Sequence, residues 1–75
     1  MTTLTQLAVG ARSTVVRVEG FDEVSVRLLE MGLTPGVEVR MLGVAPLGDP
    51  LELELRGYRL SIRRSEAERV EIQPI

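Results

Sequence analysis

The sequence predicts a mainly β domain: a small five-stranded antiparallel barrel with one α-helix inserted after the first strand. Short runs of alternating apolar side chains recur along the chain of 75 residues, as is typical of half-buried strands. One stretch alone repeats apolar residues at helical spacing. Turns rich in Gly and Pro separate the runs, and neither a linker nor an internal repeat divides them. We therefore expect one domain over residues 1–75.

The first predicted strand is Ser13–Glu19, where three valines favour extended structure. Its alternation places Val15 and Val16 on opposite faces. We expect Leu4 and Leu7, which precede this strand, to fold over one end of the core.

The predicted helix is Glu23–Met31. Asp22 is a suitable N-cap, because its carboxylate can accept from unpaired N–H groups of the first turn. Phe21 can pack against Val26 as a hydrophobic staple. Gly32 follows as the residue that ends the helix in a left-handed conformation.

One face of this helix is apolar and another is charged. The charged face carries Glu23 and Arg27, which are spaced as an i, i+4 ion pair. The apolar stripe, which we expect to face the core, consists of Val24, Leu28 and Met31.

A turn at Thr34-Pro35-Gly36 leads into a second strand, predicted over Val37–Leu42. Val37, Val39 and Met41 should face the core, and they alternate with Glu38, Arg40 and Leu42. The following segment, Gly43–Pro50, contains two Gly and two Pro and is predicted to be a loop.

The run LELELRGYRLSI predicts a hairpin with a two-residue turn at Arg56-Gly57. In that register the apolar pairs share one face, and Glu54 lies opposite Arg59. A type I′ turn needs positive φ at both central residues, which Arg disfavours, so a bulged or longer turn stays open. The apolar pairs are Leu51–Ile62, Leu53–Leu60 and Leu55–Tyr58.

A single 3₁₀-type turn is predicted over Ser65–Glu68, with Ala67 pointing inward, and Val70 and Ile72 form the last strand. Five short antiparallel strands hide their edges best by curling into a barrel. We therefore predict an SH3-like barrel.

Composition excludes most enzyme chemistry. The chain has no Cys and no His, and no phosphate-binding G-x-x-x-x-G-K-S/T motif, so we expect no catalysis, no cofactor and no resident metal. A weak oxygen-ligand metal site stays open as an alternative. Its carboxylates would come from Asp22, Glu23, Glu30, Asp49, Glu66 or Glu68.

The N-terminal segment lacks the pattern of a signal peptide, and apolar runs are too short to insert in a membrane. We expect a cytoplasmic protein that is a monomer or a weak oligomer.

The net charge of −2 argues against broad capture of nucleic acid. A nucleic-acid-binding barrel stays a second alternative, because four arginines crowd the hairpin region: Arg56, Arg59, Arg63 and Arg64. Glu52 and Glu54 share that surface, however, and aromatic residues that could stack on bases are nearly absent.

Two loops and the hairpin, in this order, resemble the FeoA family of ferrous-iron transport accessory proteins. The first matching segment is RLLEMGLTPG at residues 27–36, and the second is APLGDP at residues 45–50. Gly57, Leu60, Arg63, Ala67 and Val70 fit as well. The resemblance implies a role beside FeoB, a membrane ferrous-iron transporter, through protein–protein contacts on its cytosolic side.

Candidate contact residues are those that the core pattern does not use. Arg27 lies on the charged face of the helix, and the others are apolar residues out of phase with the core or in loops. Exposed apolar side chains matter mainly when they cluster. The candidate partner-binding residues are Arg27, Leu29, Leu33, Leu42, Val44 and Leu47.

Overall fold

The computed structural model describes residues 2–75. Five strands form a single antiparallel sheet, and two helices lie in the connections. The strands are β1 (Arg12–Val18), β2 (Glu38–Val44), β3 (Leu51–Leu55), β4 (Tyr58–Ile62) and β5 (Val70–Pro74). The helices are α1 (Glu23–Glu30) and α2 (Arg64–Ala67), and a 3₁₀ turn covers Leu4–Gln6.

The strands follow the order β4-β3-β2-β1-β5, and the buried side chains of all five belong to one core. The predicted mainly β, five-stranded SH3-like barrel with a helix after the first strand is confirmed. Residues 2 and 3 cover the outer edge of β5, where the Ile72 N–H donates to the Thr2 carbonyl at 2.8 Å. Covering an edge in this way blocks further strand pairing.

All five strands contribute to one buried cluster. Its strand residues are Val15, Val39, Met41, Leu51, Leu53, Leu55, Ile62, Val70 and Ile72. Leu4 and Leu7 are buried against the cluster as predicted, and so is Val37. Val15 is buried and Val16 is exposed, so they lie on opposite faces as predicted. The alternation breaks only at Arg17, which is also exposed, because the β1–β5 register is irregular between Val15 and Arg17.

The β3–β4 hairpin has the predicted register, with Leu53 opposite Leu60 and Glu54 opposite Arg59. The two-residue turn forms despite the arginine, since Arg56 adopts φ 51° and Gly57 adopts φ 83°. Both values are positive, as a type I′ turn requires.

The C-terminus of α1 is a Schellman motif built around Gly32, at φ +107°. The Gly32 N–H donates to the Leu29 carbonyl at 3.0 Å, and the Leu33 N–H donates to the Leu28 carbonyl at 3.2 Å. Met31 is the cap rather than the last helical residue. The Tyr58 hydroxyl donates to the Met31 carbonyl and thereby joins β4 to the end of α1.

At the N-terminus of α1 the predicted N-cap forms, but the predicted hydrophobic staple does not. Asp22 accepts from the Ser25 N–H at 3.1 Å. Phe21 is fully exposed, at 104% of its reference area, so the predicted staple with Val26 is wrong. The chain arrives at Asp22 from β1 through Gly20, which has φ +97°, and Phe21 projects into solvent.

Three further predictions need correction. The second strand extends to Val44, so the loop is shorter than predicted. The turn near residue 65 is a short α-helix, α2, although Ala67 is buried as expected. Arg27 pairs with Glu66 and not with Glu23, because α2 places a nearly buried carboxylate beside it.

Candidate functional site

The outer face of α1 carries two of the predicted contact residues. Leu29 is partly exposed, at 39%. The guanidinium of Arg27 pairs with the Glu66 carboxylate, which also accepts the Arg63 N–H at 2.8 Å at the start of α2. Glu66 is nearly buried, so this pair holds Arg27 in place beside α2 more firmly than two exposed side chains would.

The end of β2 and the loop that follows it carry three other predicted residues. Leu42 is half-buried, Val44 is partly exposed, and Leu47 is almost fully exposed at 97%. Leu47 lies in a tight turn that the Gly48 N–H closes onto the Ala45 carbonyl at 2.7 Å. The turn therefore presents a leucine to solvent on an ordered backbone.

Two contacts from Arg64 brace the same loop. The Arg64 Nε–H donates to the Gly48 carbonyl at 2.9 Å, and its backbone N–H donates to Asp49 Oδ1 at 3.0 Å. Because Arg64 and Glu66 both belong to α2, this helix is bonded to the Leu47 loop and to α1. The structure thus links the two groups of candidate residues through α2.

Leu33 does not belong to this surface. Its side chain is completely buried in the core, which corrects the prediction that it is a contact residue. In a Schellman motif the second residue after the cap packs back on the last helical turn. Leu33 occupies that position, and Leu28, its counterpart in the helix, is also buried.

Sequence reasoning missed two exposed apolar residues near the start of α1. Phe21 and Val26 are both exposed, whereas their spacing predicts a local contact with each other. No sequence signal shows whether the two side chains of a hydrophobic staple make contact, because the residues and their spacing are the same in either case.

The carboxyl group of Asp22 has a strongly lowered pKa. Arg69 Nη1 donates to Asp22 Oδ1 at 2.6 Å, and this hydrogen bond, followed by the one from the Ser25 N–H, lowers the pKa of Asp22 from 3.8 to about 2. The same hydrogen bond raises the pKa of Arg69. Both groups are solvent-exposed, so the pair joins α1 to the start of β5 without being a buried catalytic site.

The carboxylates considered as metal ligands are dispersed. No group of three or more Asp or Glu side chains within residues 2–75 is arranged to hold a metal ion. Asp22 and Glu66 have arginine partners, and Asp49 accepts from the backbone of Arg64. In the same part of the chain, no helix is long and apolar enough to cross a membrane.

A family model for the FeoA domain matches residues 2–74, almost the entire chain. This protein belongs to the FeoA domain family. The family consists of small accessory domains of ferrous-iron transport and is not a family of enzymes.

Individual relatives agree with this assignment. The chain is 36% identical over 72 residues to the Fe(2+) transport protein A/Fe(2+) transporter FeoB fusion protein of Porphyromonas gingivalis. That match covers 96% of this FeoA domain and 8% of the fusion protein, so the chain spans only a small part of that relative.

Solved structures share the fold over nearly the full length of the chain. Iron(II) transport protein A from Clostridium thermocellum matches with a TM-score of 0.93 and 31% identity, covering 99% of this chain and 46% of that one. The crystal structure of Stenotrophomonas maltophilia FeoA complexed with zinc, an SH3 domain protein, matches with a TM-score of 0.85 and 34% identity. That match covers 97% of this chain and 91% of the Stenotrophomonas chain.

Proposed function

We propose that this FeoA domain binds the cytosolic portion of a FeoB-type membrane ferrous-iron transporter and regulates it through protein–protein contacts. The observation that supports this proposal is the Porphyromonas gingivalis relative, in which a FeoA part and a FeoB part share one polypeptide. Covalent linkage raises the effective concentration of two modules that act on each other. The proposal includes a cytoplasmic location, a monomeric or weakly oligomeric state, no direct membrane insertion and no nucleic-acid partner.

The contact surface that we propose surrounds α2. It combines Arg27 and Leu29 of α1 with Leu42 and Val44 of β2 and with Leu47 of the β2–β3 loop. Burying an exposed leucine contributes about 1.5–3 kcal/mol, so Leu47 is the strongest single anchor in this set. Its braced loop lowers the entropy that is lost when the leucine is immobilised in a complex.

Isothermal titration calorimetry of the full chain against the purified cytosolic region of FeoB, in each nucleotide state, tests the association. We expect saturable binding that Leu47→Asp weakens at least tenfold, since the variant would bring a charge into an apolar contact. Phe21→Asp is the matched control, because it introduces the same charge at another fully exposed apolar residue that lies outside the proposed surface.

Absence of binding in every nucleotide state would contradict the proposed function. Binding that Phe21→Asp weakens and Leu47→Asp does not would contradict the surface and leave the association standing.

A further inference from the structure

A charged groove lies on the outer face of the sheet, away from the contacts that α2 makes. It is open, has a volume of about 380 Å³, and runs across β1, β2 and β3 to the β3–β4 turn. Its charged lining residues are Arg12, Glu38, Arg40, Glu54 and Arg56.

The strand register explains why arginines accumulate here. Arg12 lies directly opposite Arg40, which lies opposite Glu54, which in turn lies opposite Arg59. Arg12 pairs with Glu38 at 3.3 Å. Within residues 2–75, neither Arg40 nor Arg56 takes part in an ion pair, so both guanidinium groups are available to a ligand.

The groove has the opposite charge to the rest of the molecule. Its lining residues carry three arginines and two glutamates, a net charge of +1. The complete chain carries −2, which leaves −3 on the rest of the molecule. An acidic ligand would therefore be oriented toward this face by the field of the protein.

Two unfavourable local features meet in the groove. Arg56 adopts φ 51°, a conformation that L-residues other than Asn and Asp rarely occupy. Arg12 and Arg40 are like charges in directly opposite positions, an arrangement that weakens strand pairing. Residues in strained conformations are concentrated at functional sites, where they contribute to binding or catalysis at a cost in stability.

We propose that this groove binds an acidic segment of the partner, an extended stretch containing two or more Asp or Glu residues. This inference rests on the proposed function and adds a second contact to it. Guanidinium groups form paired hydrogen bonds with carboxylates. The groove crosses two strand spacings, about 10 Å, which matches about three residues of extended chain.

The glutamates in the lining favour a protein segment over nucleic acid. Glu38 and Glu54 would repel a continuous row of phosphates. They can instead accept N–H groups from the backbone of a peptide that alternates acidic and neutral residues. No aromatic side chain lines the groove to stack on bases.

Calorimetry with the cytosolic region of FeoB tests the groove by comparing Arg40→Gln with Arg17→Gln. Arg17 is an exposed arginine on β1, five residues and about 17 Å along the strand from Arg12. Each variant removes the same charge from the same sheet. We expect Arg40→Gln to weaken binding about tenfold, with a smaller dependence on salt, and Arg17→Gln to change it by less than about twofold.

The outcomes separate this proposal from the proposed function. No binding by the wild-type chain would refute the proposed function itself. If the wild-type chain binds and both variants weaken binding equally, or neither weakens it, the proposed role of the groove alone is refuted. Tight binding of a twelve-nucleotide oligothymidylate that Arg40→Gln abolishes would make the groove a nucleic-acid site and overturn the acidic segment.

A second variant addresses the strained arginine. Arg56→Asn creates an Asn-Gly turn, the sequence that a type I′ hairpin prefers. We expect the melting temperature to rise by a few degrees while affinity for the partner falls several-fold. A residue with only a structural role would not move these two quantities in opposite directions. Unchanged affinity, or a fall in both quantities, would exclude Arg56 from the binding site.

Discussion

Gly32 is the position where one added methyl group should cost most. At φ +107° any L-residue is strained, and a Cβ placed there would clash with the Tyr58 hydroxyl and approach Leu55 Cδ1 to 3.2 Å. The left-handed conformation costs about 1–2 kcal/mol. Losing the hydrogen bond from Tyr58 to the Met31 carbonyl adds about 0.5–1.5 kcal/mol. We therefore expect Gly32→Ala to lower the free energy of unfolding by about 1.5–3.5 kcal/mol.

Gly36→Ala is the matched control for the strain. Gly36 has φ +91°, but nothing lies within 4 Å of the position that an added methyl group would occupy. This variant should therefore cost only the conformational strain, about 1–2 kcal/mol. The effect of Ala on the unfolded chain is the same at both sites and cancels in the comparison. The difference of about 1 kcal/mol measures the contact with Tyr58.

Urea denaturation followed by circular dichroism provides the measurement, with an unchanged m-value as evidence that only stability has shifted. In a domain of this size, a loss of about 1.5–3.5 kcal/mol corresponds to a fall in melting temperature of about 6–28 °C. Tyr58→Phe removes the obstructing oxygen, so the double variant should be more stable than the two single costs predict. Equal losses for Gly32→Ala and Gly36→Ala, with additive behaviour in the double variant, would refute the reasoning.

Other predictions follow from single side chains. Asp22→Asn should make the stability of the domain less sensitive to acid. The lowered pKa of Asp22 contributes stability that is present above pH 3.8 and is lost as the pH falls toward about 2. In thermal melts over that pH window, the melting temperature of the wild type should therefore fall more steeply than that of the variant. Leu33→Ala should cost about 2–5 kcal/mol in urea denaturation, because Leu33 is fully buried, and a loss below about 1 kcal/mol would contradict its place in the core. Leu47→Ala should change stability by no more than about 0.5 kcal/mol, since its side chain is exposed, and a larger loss would mean that the leucine packs against the domain.

Local patterns were sufficient to predict most of the fold. The hairpin register follows from side-chain alternation, since a slip of one residue would expose one strand's entire apolar set. The start of α1 follows from Asp22, whose side chain caps the first turn, and the end follows from Gly32. These features depend on residues close together in the chain, where spacing alone decides which groups meet.

The candidate surface was harder to predict because exposure depends on distant parts of the chain. Leu29 and Leu47 are exposed as expected, but Leu33 is buried by the Schellman motif and the core behind it. The spacing within α1 predicts Glu23, one helical turn away, as the partner of Arg27. The actual partner is Glu66, which is far away in sequence and comes close only when α2 packs beside α1.

The amino-acid sequence alone specified the strands, the capped helix and the absence of thiol and imidazole chemistry, because each depends on residue type and short-range spacing. Folding was needed to bring Arg12, Arg40 and Arg56 to one groove and to leave Phe21 in solvent. Strand pairing aligns Arg12 with Arg40, which is 28 positions away, and Arg40 with Glu54, which is 14 positions away. The periodicity of a single segment does not determine which residues of two different strands are paired.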